Sequence, residues 1–328
     1  MTKNIKKFLK LYHEKREESF QKWGYYYPPK TWDEFQQWNE ETFAEHLQEY
    51  ESEVIKTKLY ISLLNYTKDF GFYLAFENQD FELLNKVLFQ TSRQELLDVS
   101  ITASGTDHCN AFFDALSAFA CNDFEVIQWL FPKDLPHSKG SYYTENAVNM
   151  LKVLYFKEPH LKDEALRKTE KFLQKKITIW ERFVLLFFVA LMEKNAQKIS
   201  DCLQELCAAY QKLGYPREKI DKCFAQEIHG LYRFVKVVDN ELFEAVKMPV
   251  HDCFFQEFEH WQRKNNFPKG KLFYEYPPKM DYMNQIFKAE IPKMELIEEK
   301  YPNNRSEIFK NVEKFASDLT KNIITKNN

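Results

Sequence analysis

Apolar residues three and four positions apart recur along almost the whole chain, and polar or Pro/Gly breaks cut them into helix-length blocks. The densest block runs from Asn110 to Pro132, NAFFDALSAFACNDFEVIQWLFP. Phe112, Phe113, Leu116, Phe119 and Ala120 fall along one helical face, and Asn122-Asp123 then interrupts. Phe124, Ile127, Leu130 and Phe131 resume the pattern until Pro132 stops it. A helix, a tight polar turn and a second helix are predicted. The unit recurs: Ala75 to Leu84 (AFENQDFELL) aligns with Ala118 to Ile127 (AFACNDFEVI), and Ala190 to Ile199 (ALMEKNAQKI) is a weaker third copy. The copies lie 43 and 72 residues apart, so no fixed solenoid period exists. The prediction is an all-α fold, an irregular, superhelical array of antiparallel helical hairpins that is tetratricopeptide-like in character.

The remaining blocks extend this plan. A first helix spans residues 2 to about 22 and ends at Gly24, and Tyr25 to Pro29 reads as an extended connector. Thr31 starts the next helix, with Glu34 completing a capping box. A long helix is predicted from Val54 to Phe76, another from Phe81 to Phe89, and Ser92 with Glu95 caps a short one ending near Ala103. Helices follow at about 143–157, 161–176, 178–194, 196–213, 217–246 and 250–264. Residues 265–279 read as a loop with a short strand at Leu272 to Tyr274, and the tail beyond Met280 reads as peripheral helices. The chain is expected to form a single helical domain, 1–328. The Pro/Gly/Ser-rich stretch 132–142 marks a subdivision into 1–132 and 143–264, with 265–328 as loop and tail.

Composition narrows the function classes. Aromatics make up 16% of the 328 residues, with 30 Phe and 18 Tyr, and these must pack between helices. Seven glycines leave little room for phosphate-cradling loops, and G-x-x-x-x-G-K-S/T, G-x-G-x-x-G and G-x-S-x-G motifs are all missing. A net charge of −3 supplies no global field for nucleic acid. Six cysteines without a C-x-x-C pair read as buried reduced thiols. Charges break the N-terminal apolar residues, so no signal peptide is expected, and the longest apolar run, Phe183 to Met192, is too short to span a bilayer. A cytoplasmic protein with no membrane partner follows.

Candidate chemistry is sparse. Asp107-His108-Cys109 and His251-Asp252-Cys253 place nucleophile, base and acid side by side, but adjacent helical side chains point apart. Capping by Asp107 and burial of Cys109 and Cys253 are the simpler reading. His46 between Glu45 and Glu49 is a two-ligand start common on solvated helices. Lysines and arginines from Lys157 to Lys176 alternate with acids, the mark of a solvated face. No catalytic, cofactor or metal residues are assigned. The most one-sided feature is the segment Asp33 to Glu53, with eight acidic residues and no Lys or Arg. It is either a solvated face or a docking surface for a basic partner. In the second case Trp32, Asp33, Trp38, Glu40, Glu41, Glu45 and Glu49 are the candidate binding residues, because aromatic anchors beside charges give both affinity and steering.

The hairpins DALSAFACNDFEVIQWLFP and LLFFVALMEKNAQKISDCLQEL, with His229-Gly230-Leu231-Tyr232 ahead of another helix, resemble bacterial polymorphic-toxin immunity proteins of the immunity protein 49 group over roughly residues 50 to 262. The resemblance implies a non-enzymatic, cytoplasmic protein, encoded beside a toxin, that binds this toxin and blocks it without a cofactor. A basic nuclease domain would suit the acidic helix. The alternative is a tetratricopeptide-like adaptor that binds a peptide or protein in a concave groove.

Overall fold

Helix α1 (Lys3–Trp23) opens where the Thr2 hydroxyl accepts the N–H of Ile5, and it closes where Gly24, at φ 79°, donates its N–H to Phe20 O. The computed structural model describes residues 2–44, 50, 52–63, 67–102, 111–214, 217–302 and 305–325. Sixteen α-helices and one two-stranded sheet lie among them, so the fold is all-α as the periodicity predicts. After α1 come α2 (Trp32–Ala44), α3 (Glu53–Leu63), α4 (Thr67–Asn78) and α5 (Phe81–Thr102). Rings join them: Tyr12 of α1 stacks on Tyr73 of α4 at 4.4 Å, and Phe35 of α2 stacks on Phe70 of α4 at 4.7 Å.

A larger core gathers around α6 (Phe112–Ala120), which is followed by α7 (Val126–Leu130), α8 (Tyr143–Phe156), α9 (Lys162–Leu173), α10 (Ile179–Met192), α11 (Ala196–Tyr210) and α12 (Gln226–Val238). Phe119 of α6 stacks on Phe234 of α12 at 5.7 Å, and α10 packs Phe188 against both helices. Leu116, Leu185, Phe188, Leu206 and Leu231 are all fully buried here, each contributing about 1.5–3 kcal/mol of transfer free energy. The 132–142 stretch is bound down onto α8. Asn149 accepts the N–H of Ser138 at 2.9 Å and donates to its carbonyl at 3.0 Å, and the Lys152 ammonium donates to Leu135 O.

The sequence repeat is a repeat of geometry. Gln79, Asn122 and Lys194 occupy the same place in the three copies, and all three are left-handed, at φ 52°, 62° and 54°. In each copy the next residue's N–H returns to the carbonyl of the alanine five positions back: Asp80 to Ala75 (2.9 Å), Asp123 to Ala118 (3.0 Å) and Asn195 to Ala190 (3.0 Å). That six-to-one bond is the Schellman stop, and the same polar residue starts the next helix. Asp80 accepts from Leu83 N and Asn195 from Lys198 N. Asp123 departs from this: its buried carboxylate takes the guanidinium of Arg93 and lies 3.4 Å from the Lys269 ammonium. A fourth stop, unmarked in the sequence pattern, uses Lys157 at φ 54° with Glu158 N bonded to Val153 O at 3.0 Å.

Several predicted elements change. The predicted Val54–Phe76 helix is helical over α3 and α4, and residues 64–66 between them lie outside the described residues. Ser92 is no cap, because α5 runs unbroken and its hydroxyl bonds back to Phe89 O at 3.3 Å. The predicted 217–246 helix is confined to α12 and α13 (Asn240–Ala245), since Asp239 turns extended and caps Leu242. His229 to Tyr232 lies inside α12, ahead of α13. The next helix, α14, covers only Gln256–Lys264.

Leu272 to Tyr274 forms no strand. The side-chain amide of Gln90 takes a strand neighbour's part, accepting the N–H groups of Phe273 (2.8 Å) and Tyr274 (2.9 Å) and donating to Tyr274 O at 3.2 Å. After α15 (Asp281–Lys288), the tail is not wholly helical. Strands β1 (Leu296–Tyr301) and β2 (Arg305–Lys310) pair antiparallel, with Ile297 opposite Phe309, before α16 (Val312–Thr325) packs on α3 and α5.

Candidate functional site

The acidic helix α2 is held by one buried cation. Arg16, 7% exposed on α1, donates from Nη1 to Pro28 O at 2.6 Å and to Glu34 Oε2 at 2.8 Å, and from Nη2 to Glu34 Oε1 at 3.2 Å. Glu34 reaches back to the N–H of Lys30 at 2.6 Å, and its own N–H donates to Thr31 Oγ1 at 3.2 Å. Tyr12 donates its hydroxyl to Pro29 O at 2.5 Å. Residues 28–31 of the connector are therefore pinned from below. Burial alone would raise the Glu34 carboxyl, but the hydrogen bonds from Arg16 and Lys30 outweigh it and hold it below the ordinary range.

Above these clamps the connector displays its rings. Phe20 stacks on Tyr26 at 4.5 Å, Arg16 lies under Tyr26 at 4.9 Å, and Trp23 stacks on Tyr25 at 6.0 Å. Tyr25 and Tyr27 both meet Trp38 edge-on, at 5.5 and 5.4 Å. The outward faces stay open: Trp23 is 54% exposed, Tyr25 47%, Phe20 44% and Tyr26 42%. Of the predicted binding residues, Trp38 is half-buried and forms the ridge of this surface. Trp32 is exposed at its rim but stacks on Tyr274 at 5.7 Å, so part of its role is structural. Asp33, Glu40 and Glu41 line one shallow depression of about 440 Å³ with Gln36 and Gln37. Gln36 donates to Glu40 at 3.0 Å and Gln37 to Glu41 at 2.8 Å, which fixes the carboxylates. Glu45, Glu49 and His46 lie outside the described residues.

On the other side of the Trp38–Tyr25 ridge is a groove of about 910 Å³ between α1 and residues 217–222. The sequence reading missed it, because it is built from segments two hundred positions apart. The exposed rings were legible as the run Tyr25-Tyr26-Tyr27, which the proline-rich context marked only as a connector.

Of the two candidate triplets only the second is described. Asp107, His108 and Cys109 lie outside the described residues. His251 Nδ1 accepts the N–H of Cys253 at 3.2 Å within a turn, and Cys253 is wholly buried with its thiol 3.9 Å from Cys207 O. The five described cysteines are free and buried, and burial pushes Cys223 up to about 11 and Cys202 up to about 12. These are packing thiols and not nucleophiles.

Two polar clusters carry unusual electrostatics. His229 on α12 is fully buried; its Nδ1 lies 2.6 Å from Glu259 Oε1 and its Nε2 accepts the N–H of Phe255 at 3.2 Å. An accepting Nε2 places the proton on Nδ1, which makes a neutral imidazole. Burial lowers its proton affinity despite the Glu259 contact. Arg233 supplies the positive charge for Glu259, 2.5 Å from Oε2, with its guanidinium over Phe267 at 4.7 Å. Asp114 joins Glu95, Asp98 and Ser62 in a cleft of about 320 Å³. Burial and the charge of Glu95 push Asp114 up to about 7, against Lys68 and Arg217. Among the described residues no group of three His, Cys, Asp or Glu side chains is arranged to hold a metal ion. No described helix is long and apolar enough to cross a membrane. The chain matches no protein-family model, and neither a curated protein nor a solved structure matches it.

Proposed function

We propose that this chain is a binding protein of the immunity type, which neutralises a partner toxin by covering it with the aromatic and acidic face of α1 and α2. The observation that carries the reading is the set of exposed rings at Phe20, Trp23, Tyr25 and Tyr26, stacked on one another and anchored through Tyr26 on Arg16, beside Asp33, Glu40 and Glu41. Exposed aromatics that are already ordered lose little entropy on docking, and such residues dominate binding energy at interfaces. The carboxylates attract a basic partner from a distance and orient it. Inhibition by occlusion is a binding event and uses no cofactor.

Co-expression with the product of the neighbouring gene tests the reading. Protection of the cells and a complex that survives purification are expected, and loss of both overturns it. Replacing Glu40→Lys and Glu41→Lys together is expected to slow association about tenfold and to flatten its salt dependence, with less change in dissociation. A second reading, a helical adaptor for peptides, is favoured by the groove behind the ridge.

A further inference from the structure

The geometry points to a second recognition element: the groove between α1 and the 217–222 segment binds an extended acidic segment of a partner protein. This goes beyond the toxin-binding reading and holds whether or not that partner is a toxin. The groove's apolar surface comes from Leu11, Ile220, Trp23, Tyr25 and Trp38. Its volume of about 910 Å³ lies at the upper end of ordinary ligand sites, enough for several side chains of an extended chain.

The charge decides the occupant. Five cations line the groove, and two are already committed: Arg217 to the buried Glu227, and Lys15 to Asp69 at 3.4 Å. Lys22, Lys219 and Lys222 find no carboxylate among the described residues, and Lys22 rests over the Trp23 ring at 4.7 Å. Of the three carboxylates in the groove, Glu14 has Lys10 at 3.5 Å, Glu218 reaches only the Lys15 already held by Asp69, at 3.9 Å, and Glu18 has no cation among the described residues. Three uncommitted ammonium groups therefore face two carboxylates, Glu18 and Glu218, across an aromatic wall, and the groove keeps a net positive charge. The ridge of Trp38 and Tyr25 divides this cationic groove from the anionic depression on α2, so the two sides select opposite charges. An acidic segment bearing an aromatic or aliphatic residue meets both the lysines and the rings.

The test uses the full chain and labelled peptides graded from strongly acidic to strongly basic, each with one central phenylalanine. Anisotropy reports binding, and quenching of Trp23 and Trp38 reports its place. Affinity is expected to rise with peptide acidity and to fall at least tenfold in Lys219→Glu with Lys222→Glu. Lys219→Glu alone, at an exposed position, is expected to show a smaller loss in the same direction and keeps the test valid if the double variant does not fold. Glu40→Lys with Glu41→Lys is expected to leave peptide binding intact, which separates this site from the α2 surface. Equal binding of basic peptides, no binding of any peptide, unchanged affinity in the lysine variants, or tighter binding of a single-stranded oligonucleotide would each overturn the proposal.

Discussion

A Cβ placed on Gly230 would stand 1.9 Å from the carbonyl oxygen of Leu116. Helices α6 and α12 therefore cross backbone to backbone, and no side-chain rotation relieves the contact. Gly230→Ala is expected to force the helices apart and cost about 3 kcal/mol or more, read as a lower urea midpoint. A loss below about 1 kcal/mol would mean that the crossing is looser than this geometry.

Arg16 is the clamp of the aromatic face. Arg16→Met retains the buried stem but frees Glu34 and the carbonyl of Pro28, with an expected cost of roughly 2–3 kcal/mol. Changed Trp23 and Trp38 fluorescence should accompany it. Because the Glu34 carboxyl is held below its ordinary range, its contribution is present above that range and lost as pH falls through the lowered value. Glu34→Gln should remove this acid-side slope. An identical slope in the variant would assign it to another carboxylate.

Asp114 has the opposite sign. Its folded-state value of about 7 stands above the unfolded one, so it penalises the fold increasingly as pH rises toward and through 7. Asp114→Asn is expected to raise stability at pH 8 by roughly 1–2 kcal/mol, discounted for water in the cleft, and to change little near pH 3. Thermal melts at the two pH values check it, and equal shifts at both would refute the assignment.

In the buried network, Glu259→Gln leaves Arg233 charged and without an anion, at an expected cost of about 3–5 kcal/mol. The neutral His229 makes the fold lose stability as pH drops below the ordinary histidine range, where the unfolded chain takes up a proton that the folded chain refuses. Nitrogen-resolved NMR of the imidazole should show the proton on Nδ1. A proton on Nε2 would contradict the Phe255 hydrogen bond.

The helices from 143 to 210 were legible because their apolar stripes are long and their stops are local, and α8 to α11 follow the predicted spans closely. The repeat at Ala75, Ala118 and Ala190 was legible as well, since a stop-and-start turn leaves a sequence trace. The β1–β2 hairpin was not, because Ile297, Ile308 and Phe309 among charges fit a weak helix as easily as a strand. Leu272 to Tyr274 failed for the reverse reason: strand-forming residues there met the Gln90 amide, 183 positions away, and no second strand. On the candidate face, residues in one helix were readable while the groove was not, since Trp23 and Lys219 meet only after folding. Arg16 carried no signal at all, being one cation among many on α1.

Among the described residues five helices stop on a left-handed residue that bears a full side chain: Gln79, Asn122, Lys157, Lys194 and Asn266. An L-residue in that conformation costs roughly 1 kcal/mol relative to glycine. Gln79, Lys157 and Lys194 are exposed, so glycine there removes strain with little loss of packing, Lys194 giving up only its surface contact with Asp239 at 2.7 Å. Asn122 is different, because its amide also holds Gln262 and Pro268 O. The chain thus contains a ready route to thermal hardening: three glycine substitutions, none near the aromatic face, that together should lift the melting temperature by several degrees.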